Sequence, residues 1–541
     1  MTGSRKRMYL LHRWTGLTAA LLGMLVFTSG AVVTFREAIE GWATRGDRIG
    51  PLVETDGFDL DAAWAAAARG VDPKYLHQVD VIRHPHGPLG FFMHEHVRSG
   101  GQVSEVGVYR VVDPRSKEVL VSRTGRREAV TDPLPKSALA QFFLELHTVL
   151  LMPRTLGLVA TGLVGFALTV LLGTGILVHR PTFRKLTNKL RTQRARQLSG
   201  DLHAQLGSWT LPYTIVLAMT GMFFSFATTV LIPVVAMAAF NGDQTTLIRT
   251  LLGHTEVSQS SAVARLDPMF RDASARTVGG ELQFLFLDHW GQDDANAVFF
   301  MRKPDPLGDL HRNHVYDGHS GAFIRTKPRL GTEPSFGGTL FQLMGDLHFG
   351  TLLGIVTKAV WAVCGLLTAL VACLGLLVFC LRNTASSHPG VFGLRLMTVA
   401  VSGGLPLAIA CAALAWVASC SLGAPQPMGS MRWVFVLTLA FTGLGGGRLR
   451  VPTAVALGWA GAAIAFLALP LLGPLATGRG ALAAWADPAT RDTVAVDIGF
   501  VVTGLALAVA AWLLPRRVAA FSGRSTEEYF QLPAGSTESV M

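Results

Sequence analysis

Four histidines recur at two repeated positions of the chain, where they could bind a redox-active metal. His12 and His203 each follow a leucine at the start of an apolar stretch, and they are 191 positions apart. His147 and His348 each follow a leucine shortly before another apolar stretch, and they are 201 positions apart. A neutral imidazole is a strong axial ligand for haem iron, and haem sites are built between facing helices of bundles. The pattern predicts two bis-histidine sites, His12 with His203 and His147 with His348.

The apolar stretches that must position these histidines are long enough to cross a membrane. The 541 residues are 50% hydrophobic and 15% charged, whereas soluble domains carry about 25% charged residues. This composition excludes an ordinary soluble enzyme. A helical span needs about 20 mostly apolar residues. Eight stretches qualify, of which the sixth is short, and they cover residues 14–35, 156–178, 209–239, 351–381, 394–422, 433–444, 451–472 and 494–514.

An internal repeat in the first 381 residues relates these stretches to one another. Gly30 follows Gly16 by fourteen residues in the first stretch, and Gly221 follows Gly207 by fourteen residues in the third. The segments VDPRSKEVL (112–120) and YDGHSGAFI (316–324) match at an offset of 204. Two copies of a helix, module, helix unit predict an up-down bundle in which spans one and three are diagonal. The histidine pairs then lie one in each leaflet, and two haems bound there would carry electrons through the bilayer.

Basic residues near the span ends predict the orientation in the membrane. The N-terminus and the exits of the even-numbered spans are basic, and residues 180–196 contain seven Lys and Arg residues and no acid. Both termini are therefore expected in the cytoplasm of a bacterial cell, with regions 36–146 and 240–345 in the periplasm. These loops account for the net charge of +11, so no binding of nucleic acid is expected.

The two outer regions are polar and contain strand-like segments around turns, at residues 108–120 and 313–324 for example. The sequence thus predicts an all-α polytopic membrane protein of about eight transmembrane helices, with a duplicated four-helix haem core and two small α+β periplasmic modules. The predicted units are the N-terminus with span one (1–38), module one (39–145), spans two and three with the basic loop (146–239), module two (240–345), span four (346–382), four additional helices (383–515) and a cytoplasmic tail (516–541).

Other histidines offer alternatives to this assignment. His179 ends the second span and could replace His12 or His203, or contact a haem propionate, although simple placement at the membrane interface is favoured. The outer regions carry further histidines, for which solvated strand surface is favoured and weak capture of Fe(II) is the alternative, with no carboxylate at a recognisable spacing. These are His84, His86, His94, His96, His311, His314 and His319.

The segments LHRWTGL…TSG, ELHTVLLMPRTLG, DLHAQLGSWTLP…MTG and DLHFGTLLG together resemble the PepSY-associated transmembrane family, over about residues 5–385. That family includes iron-regulated bacterial inner-membrane proteins and ferric-siderophore reductases of the FoxB type. The resemblance implies two haem b groups in a four-helix core, PepSY-like periplasmic modules, and reduction of ferric siderophore from Fe(III) to Fe(II) in the periplasm. Such a reaction requires no catalytic acid, base or nucleophile from the protein.

The electron donor and several competing functions remain open on the sequence alone. No strand–GxGxxG–helix unit for nucleotide binding is present, so the expected donor is membrane quinol or a separate reductase. The competing functions are a siderophore or iron permease, a PepSY-type regulatory binding protein without haem, and a reductase of another substrate such as a copper complex. The four additional helices could dock a partner, bind quinone or be a passive addition.

Overall fold

The structure, a computed structural model, describes residues 3–47, 59–84, 88–99, 102–131, 134–178, 187, 189–191, 195–242, 247, 260–303, 305, 309–328, 331, 333–383, 388–447 and 449–522. Three parts make up the protein. A bundle of membrane helices is built from the repeat, an antiparallel sheet lies on one side of this bundle, and the C-terminal helices pack beside the bundle. We call the end of the bundle that carries the sheet the sheet side.

The repeat region contains both long apolar helices and short helices that precede them. Three of its helices are individually long and apolar enough to cross a membrane. In chain order the helices are α1 (Gly3–Val33), α2 (Arg36–Ala43), α3 (Leu60–Ala68), α4 (Arg127–Val130), α5 (Ala138–Thr148), α6 (Arg154–Val178), α7 (Ala195–Trp209), α8 (Leu211–Phe226), α9 (Ile232–Ala239), α10 (Leu266–Arg276), α11 (Phe336–Phe349) and α12 (Ile355–Arg382).

The third predicted span differs from a straight helix. It begins earlier than expected, at α7, and bends by 68° before α8. Pro212 stands in the first turn of α8, and a proline has no N–H to donate and clashes with the preceding turn, so the helix breaks there. A π-helical turn, Ala227–Leu231, then connects α8 to α9. His203 consequently lies on α7, a segment tilted relative to the rest of its span.

The strands of the two predicted modules form one sheet of eight antiparallel strands rather than two separate sheets. The strand order is β4-β3-β2-β1-β5-β6-β7-β8. The strands are β1 (Gln78–Arg83), β2 (Leu89–Ser99), β3 (Gln102–Val112), β4 (Val119–Arg126), β5 (Glu281–Asp288), β6 (Asn296–Lys303), β7 (Leu310–Asp317) and β8 (Phe323–Lys327). The predicted turns at 108–120 and 313–324 are the β3–β4 and β7–β8 hairpins.

The pairing of β1 with β5 joins the two halves of the sheet at its centre. Gln78 lies opposite Asp288, and Ile82 lies opposite Phe284. This pairing covers two strands whose edges would otherwise be open to other chains. One face of the sheet packs against α3 and α10, where the side chains form a large apolar core. The two modules are therefore halves of one folded unit.

Helices α3 and α10 cap each other across the pseudo-symmetric centre of the sheet. Asp267 of α10 accepts a hydrogen bond of 2.8 Å from the Leu60 N–H of α3, and Asp61 of α3 accepts one of 2.7 Å from the Leu266 N–H of α10. A carboxylate at a helix N-terminus satisfies N–H groups that have no partner inside the helix. The acidic residues gathered here are therefore explained as reciprocal caps.

The opposite face of the sheet is directed towards the membrane helices. Helix α4 packs on this face through Val130, which contacts the cluster of Phe92 and Tyr109. From the other half of the sheet, Arg302 pairs with Glu37 of α2 at 2.9 Å. The short helices α5 and α11, which follow the two halves of the sheet along the chain, carry His147 and His348.

The C-terminal region supplies four more candidate spans, at Pro389–Ser421, Met428–Gly446, Val451–Thr477 and Arg491–Leu514. If the bent pair counts as one span, the part of the chain that the structure describes contains eight candidate spans, which is the predicted number. The helices are α13 (Pro389–Val399), α14 (Leu405–Ser421), α15 (Met428–Gly446), α16 (Val451–Leu472), α17 (Pro474–Thr477), α18 (Ala481–Ala486) and α19 (Val494–Ser522).

A buried ion pair joins this region to the repeat. Arg45, after α2, contacts Asp497 of α19 at 2.6 Å, and their side chains are 0% and 5% exposed. Trp42 donates a hydrogen bond of 2.8 Å to the same carboxylate and packs against Trp416 of α14. The C-terminal helices are thus firmly attached to the sheet side of the first repeat unit.

Candidate functional site

The helices of the repeat surround a common centre in the order that the sequence predicts. Helix α1 packs against α6 and α12, and the α7–α8 segment packs against the same two helices from the other side. Spans one and three are therefore diagonal. This arrangement places the two histidine pairs on the inside of the bundle, at different heights.

His12 of α1 and His203 of α7 face each other at the end of the bundle away from the sheet. Their ring centroids are 6.3 Å apart, with an angle of 76° between the ring planes. Nδ1 of His203 lies 2.8 Å from the carbonyl oxygen of Val371 on α12. Nδ1 of His12 lies 3.2 Å from the carbonyl oxygen of Leu171 on α6 and 3.1 Å from Thr174 Oγ1. Each ring is thus tethered to the neighbouring span.

His147 of α5 and His348 of α11 form an equivalent pair on the sheet side. Their ring centroids are 6.2 Å apart, with 34° between the planes. Nδ1 of His147 lies 2.9 Å from the carbonyl oxygen of Val26 on α1. Nδ1 of His348 lies 3.0 Å from Thr220 Oγ1 on α8. The sequence-predicted residues are thus brought together as two pairs, each ring tethered through Nδ1.

These hydrogen bonds define which ring nitrogen carries the proton. A carbonyl oxygen only accepts, so Nδ1 of His147 and of His203 must donate. The Thr220 hydroxyl already donates to the Val216 carbonyl at 2.7 Å, so it accepts from His348. Nε2 is then the unprotonated nitrogen, which is the form that binds a metal. Metal-bound histidines commonly donate their other N–H to a carbonyl in this way, which fixes the ring and raises its basicity.

The separation of the rings fits one metal ion between each pair. A metal–imidazole bond is about 2.0 Å long and the ring centroid lies about 1.1 Å beyond the bound nitrogen, so two axial imidazoles have centroids about 6.2 Å apart. The observed values are 6.3 Å and 6.2 Å. Both pairs therefore have the spacing of two imidazoles that share one iron. The two pairs reach this spacing independently, because they lie on different helices.

A glycine on the facing helix makes room for each histidine ring. A β-carbon at Gly30 would lie 2.9 Å from Cε1 of His147, and one at Gly221 would lie 3.4 Å from Cε1 of His348. The equivalent distances are 3.4 Å from Gly175 to His12 and 3.2 Å from Gly375 to His203. A β-carbon would therefore clash at Gly30 and be tight at Gly375, whereas at Gly175 and Gly221 it would just touch the ring. A glycine thus lies against the ring at all four histidines.

The His12–His203 pair lines a cavity of about 570 Å³ in the centre of the bundle. Pockets of about 300–1,000 Å³ hold cofactor-sized molecules. The cavity is mostly apolar, with polar side chains at its outer end: Tyr9, Arg13, Arg382 and Asn383. Arg382 donates a hydrogen bond to Tyr9. Among the described residues, Nε of Arg13 is buried without a hydrogen-bond partner. A guanidinium with an unpaired Nε–H at the mouth of the cavity suits the carboxylate groups of a porphyrin.

The two pairs lie far enough apart to serve opposite sides of a membrane. His12 lies on α1, and His147 hydrogen-bonds the Val26 carbonyl of the same helix. These fourteen residues of helix correspond to about 21 Å along the helix axis. The hydrocarbon layer is about 30 Å thick, so the pairs cover most of its depth.

The remaining sequence-predicted histidines have different surroundings. His179, the alternative ligand, lies outside the described residues, as does His86. His314 is buried and hydrogen-bonds Thr277 and Thr326 at 3.0 and 2.9 Å, which is a structural role. Sequence reasoning did not identify Gly175, Gly375 or Arg13; the recurrence of a glycine about 28 residues after His147 and His348 was the available signal for the first two.

Comparison with known proteins shows the family of the chain. No curated protein matches it. A family model described as the PepSY-associated TM region matches residues 9–382, which is more than half of the chain and includes all four paired histidines. The chain belongs to the PepSY-associated transmembrane family.

Proposed function

We propose that this protein is a di-haem transmembrane electron-transfer protein that reduces ferric siderophore in the periplasm and so releases iron. The observation that carries the proposal is the presence of two histidine pairs, both at the spacing of axial ligands on one iron, about 21 Å apart along α1. In this proposal His12 and His203 hold one haem b, and His147 and His348 hold the other.

Haem iron accepts and passes on single electrons when it is bound. The chain's own residues position and tune it. The hydrogen bonds from Nδ1 to Val26, Leu171 and Val371 keep the imidazoles neutral and aimed inward, and the apolar helices exclude water. The glycines opposite the rings allow the helices to approach closely. The protein is expected to use no acid, base or nucleophile.

The proposed substrate follows from the chemistry of iron release. Ferric iron binds hard oxygen ligands tightly, and the lower charge of ferrous iron loosens them. One electron therefore converts a ferric chelate to a ferrous chelate, which then dissociates into Fe(II) and the free ligand. The sheet covers the side of the bundle where His147 and His348 lie, which suits a substrate held between the sheet and the membrane helices.

The proposal also assigns an orientation. The basic loops are cytoplasmic, both termini are cytoplasmic, and the sheet lies in the periplasm of a bacterial inner membrane. Electrons then enter at the His12–His203 pair from membrane quinol or a separate reductase. The cavity at this pair opens between basic side chains at the end of the bundle away from the sheet.

Haem content and ligand replacement test the proposal. The full-length protein, expressed with sufficient haem, should contain two haem b per chain by its absorption spectrum. His147→Ala and His348→Ala should each lose one haem and the reduction of ferric siderophore on the sheet side. His12→Ala and His203→Ala should each lose the other haem. His179→Ala should retain both haems, because the two pairs already supply four ligands.

Several outcomes contradict the proposal. A colourless preparation would favour the permease or the regulatory binding protein, neither of which needs paired histidines. Two haems retained in His147→Ala would exclude the His147–His348 pair as a haem site. Loss of haem in His179→Ala would show that His179, instead of His12 or His203, is a ligand. Reduction of a copper complex but of no ferric siderophore, in proteoliposomes loaded with a reductant, would keep the electron-transfer function and change the substrate.

A further inference from the structure

Three side chains with metal-binding atoms meet on the sheet, and none of them is one of the four paired histidines. His94 and His96 lie on β2, and Glu105 lies directly opposite His96 on β3. One ligand atom from each of the three lies within 4.8 Å of the other two. We propose that His94, His96 and Glu105 bind a divalent first-row transition-metal ion.

The strand geometry places all three ligands on the same face of the sheet. Residues two apart on a strand point to the same side, so His94 and His96 share a face, and their rings are 5.4 Å apart. Glu105 is the register partner of His96 and therefore points to that side too. This is the face that carries α4 and is opposite to α3 and α10. The cluster consequently faces the region between the sheet and the membrane helices.

His94 is held in the form that can bind a metal. The residue is 2% exposed, and its ring stacks on Phe92 with the centroids 4.6 Å apart. Its Nδ1 lies 3.3 Å from the Phe92 carbonyl oxygen. Because a carbonyl only accepts, Nδ1 carries the proton and Nε2 keeps the lone pair. A buried, rigid imidazole with a second hydrogen bond has the arrangement typical of metal ligands.

Glu105 is oriented by a neighbouring cation and still presents an oxygen to the histidines. Arg127 contacts Oε2 of Glu105 and a carboxylate oxygen of Asp80. Oε1 of Glu105 lies 3.5 Å from Nε2 of His96. Two carboxylates and one guanidinium leave a net charge of about −1, which favours a cation. Arg127 therefore acts as the outer partner that holds a ligating carboxylate in place.

The donor set selects the class of metal. Two imidazoles and one carboxylate suit Fe(II), Zn(II) and related ions, whereas Mg(II) and Ca(II) prefer oxygen ligands alone. Bonds of about 2.0–2.2 Å place ligand atoms about 3–4 Å apart. The side chains of His96 and Glu105 are 24% and 31% exposed, so small rotations can close the remaining gap. Assigning released ferrous iron as the physiological ion rests on the proposed function.

Metal titration of the full-length protein without a polyhistidine tag tests this site. One equivalent of Zn(II) or of Co(II) should bind per chain, and this binding should require His94, His96 and Glu105. Fe(II) should bind in the same way under anaerobic conditions. Mg(II) should not compete. His96→Ala and Glu105→Gln should each weaken Zn(II) binding by at least about 10-fold. Glu95→Gln is the matched control, because Glu95 lies between the two histidines but pairs with Lys74 on the other side of the strand at 3.1 Å.

The outcomes separate this inference from the proposed function. Equal Zn(II) affinity in the wild type, His96→Ala and Glu105→Gln overturns the site, and so does an equal loss in Glu95→Gln. The haem spectrum is recorded on the same samples. Two haems without a zinc site would refute only the metal cluster, whereas zinc binding without haem would refute only the electron-transfer function.

Discussion

Gly30 on α1 lies directly against the imidazole of His147 on α5. A β-carbon at this glycine would come within 2.9 Å of Cε1 and 3.1 Å of Nδ1 of the ring. The same ring is held by the Val26 carbonyl one turn earlier on α1. Helix α1 thus both holds the ring through the Val26 carbonyl and leaves room for it at Gly30. The position of the ring therefore depends on a residue without a side chain.

Gly30→Ala should therefore displace His147 without removing it. The added methyl group pushes the ring away, because a separation below 3.0 Å cannot be maintained. We expect weakened or lost haem at the His147–His348 pair, measured by haem content and by redox titration. Gly173→Ala on α6 is the control, since a β-carbon there would have no neighbouring heavy atom within 4 Å and the residue does not line the cavity. Equal haem content in both variants would mean that Gly30 does not position the ligand.

Arg13→Gln tests whether the cavity mouth recognises carboxylates. The guanidinium carbon of Arg13 lies 5.1 Å from the ring centroid of Trp14 and 5.7 Å from that of Phe379. Its Nε has no hydrogen-bond partner among the described residues. Removing this charge should weaken retention of the haem at the His12–His203 pair. It should also lower that haem's reduction potential, because a nearby cation disfavours the more positive ferric state. Redox titration and haem retention are the measurements, and Arg7→Gln, a change at an exposed position, is the control.

An unchanged potential and unchanged haem retention in Arg13→Gln would show that the guanidinium does not face the cofactor. A partial effect in Arg13→Lys is expected, since lysine keeps the charge but not the planar fork that binds a carboxylate at two points.

The sheet should lose stability in acid through His84. Burial lowers the pKa of His84 to about 4, and its Nε2 lies 2.8 Å from the hydroxyl of Tyr109, whose own pKa burial raises to about 12. In the unfolded chain His84 has a pKa of about 6.5, so it takes up a proton below that pH, whereas in the folded protein it stays neutral down to about pH 4. The full stability of the sheet is therefore present above pH 6.5. The contribution of the neutral His84, about 3 kcal/mol, is lost as the pH falls from 6.5 to 4.

His84→Gln should flatten this part of the pH profile, because the glutamine amide can still accept from Tyr109 but does not titrate. Thermal unfolding of the sheet between pH 4 and 8, followed by circular dichroism, is the measurement. A wild-type profile with the same slope as that of the variant would assign the acid sensitivity to other groups.

Asp497→Ala should loosen the C-terminal helices from the repeat. The substitution leaves the Arg45 guanidinium buried without its carboxylate and removes the hydrogen bond from Trp42. Breaking a buried pair from one side costs about 3–5 kcal/mol. The expected result is a lower thermal unfolding midpoint in detergent, with both haems retained at low temperature.

The double variant Arg45→Met with Asp497→Ala should recover part of this loss, because no charge then remains buried. Loss of haem in Asp497→Ala at low temperature would contradict the expectation and would show that the C-terminal helices support the histidine pairs.

The pairing of the four histidines was predictable from the sequence for a local reason. His12 and His203 occupy the same position in the two copies of the repeat, and His147 and His348 occupy another shared position. The length of each apolar stretch identifies a span without knowledge of the helices that pack against it. The β3–β4 and β7–β8 hairpins were predictable in the same way, since each forms between neighbouring segments around a short turn.

Contacts between segments distant in the chain were decided only by the tertiary structure. No local pattern indicates that β1 pairs with β5 about 200 residues later, so two modules were expected where one sheet exists. Glu105 becomes a neighbour of His96 only through strand register. Residue types and periodicity therefore defined which side chains are available for chemistry in this protein. Packing and register, which depend on the whole fold, decided which of them meet.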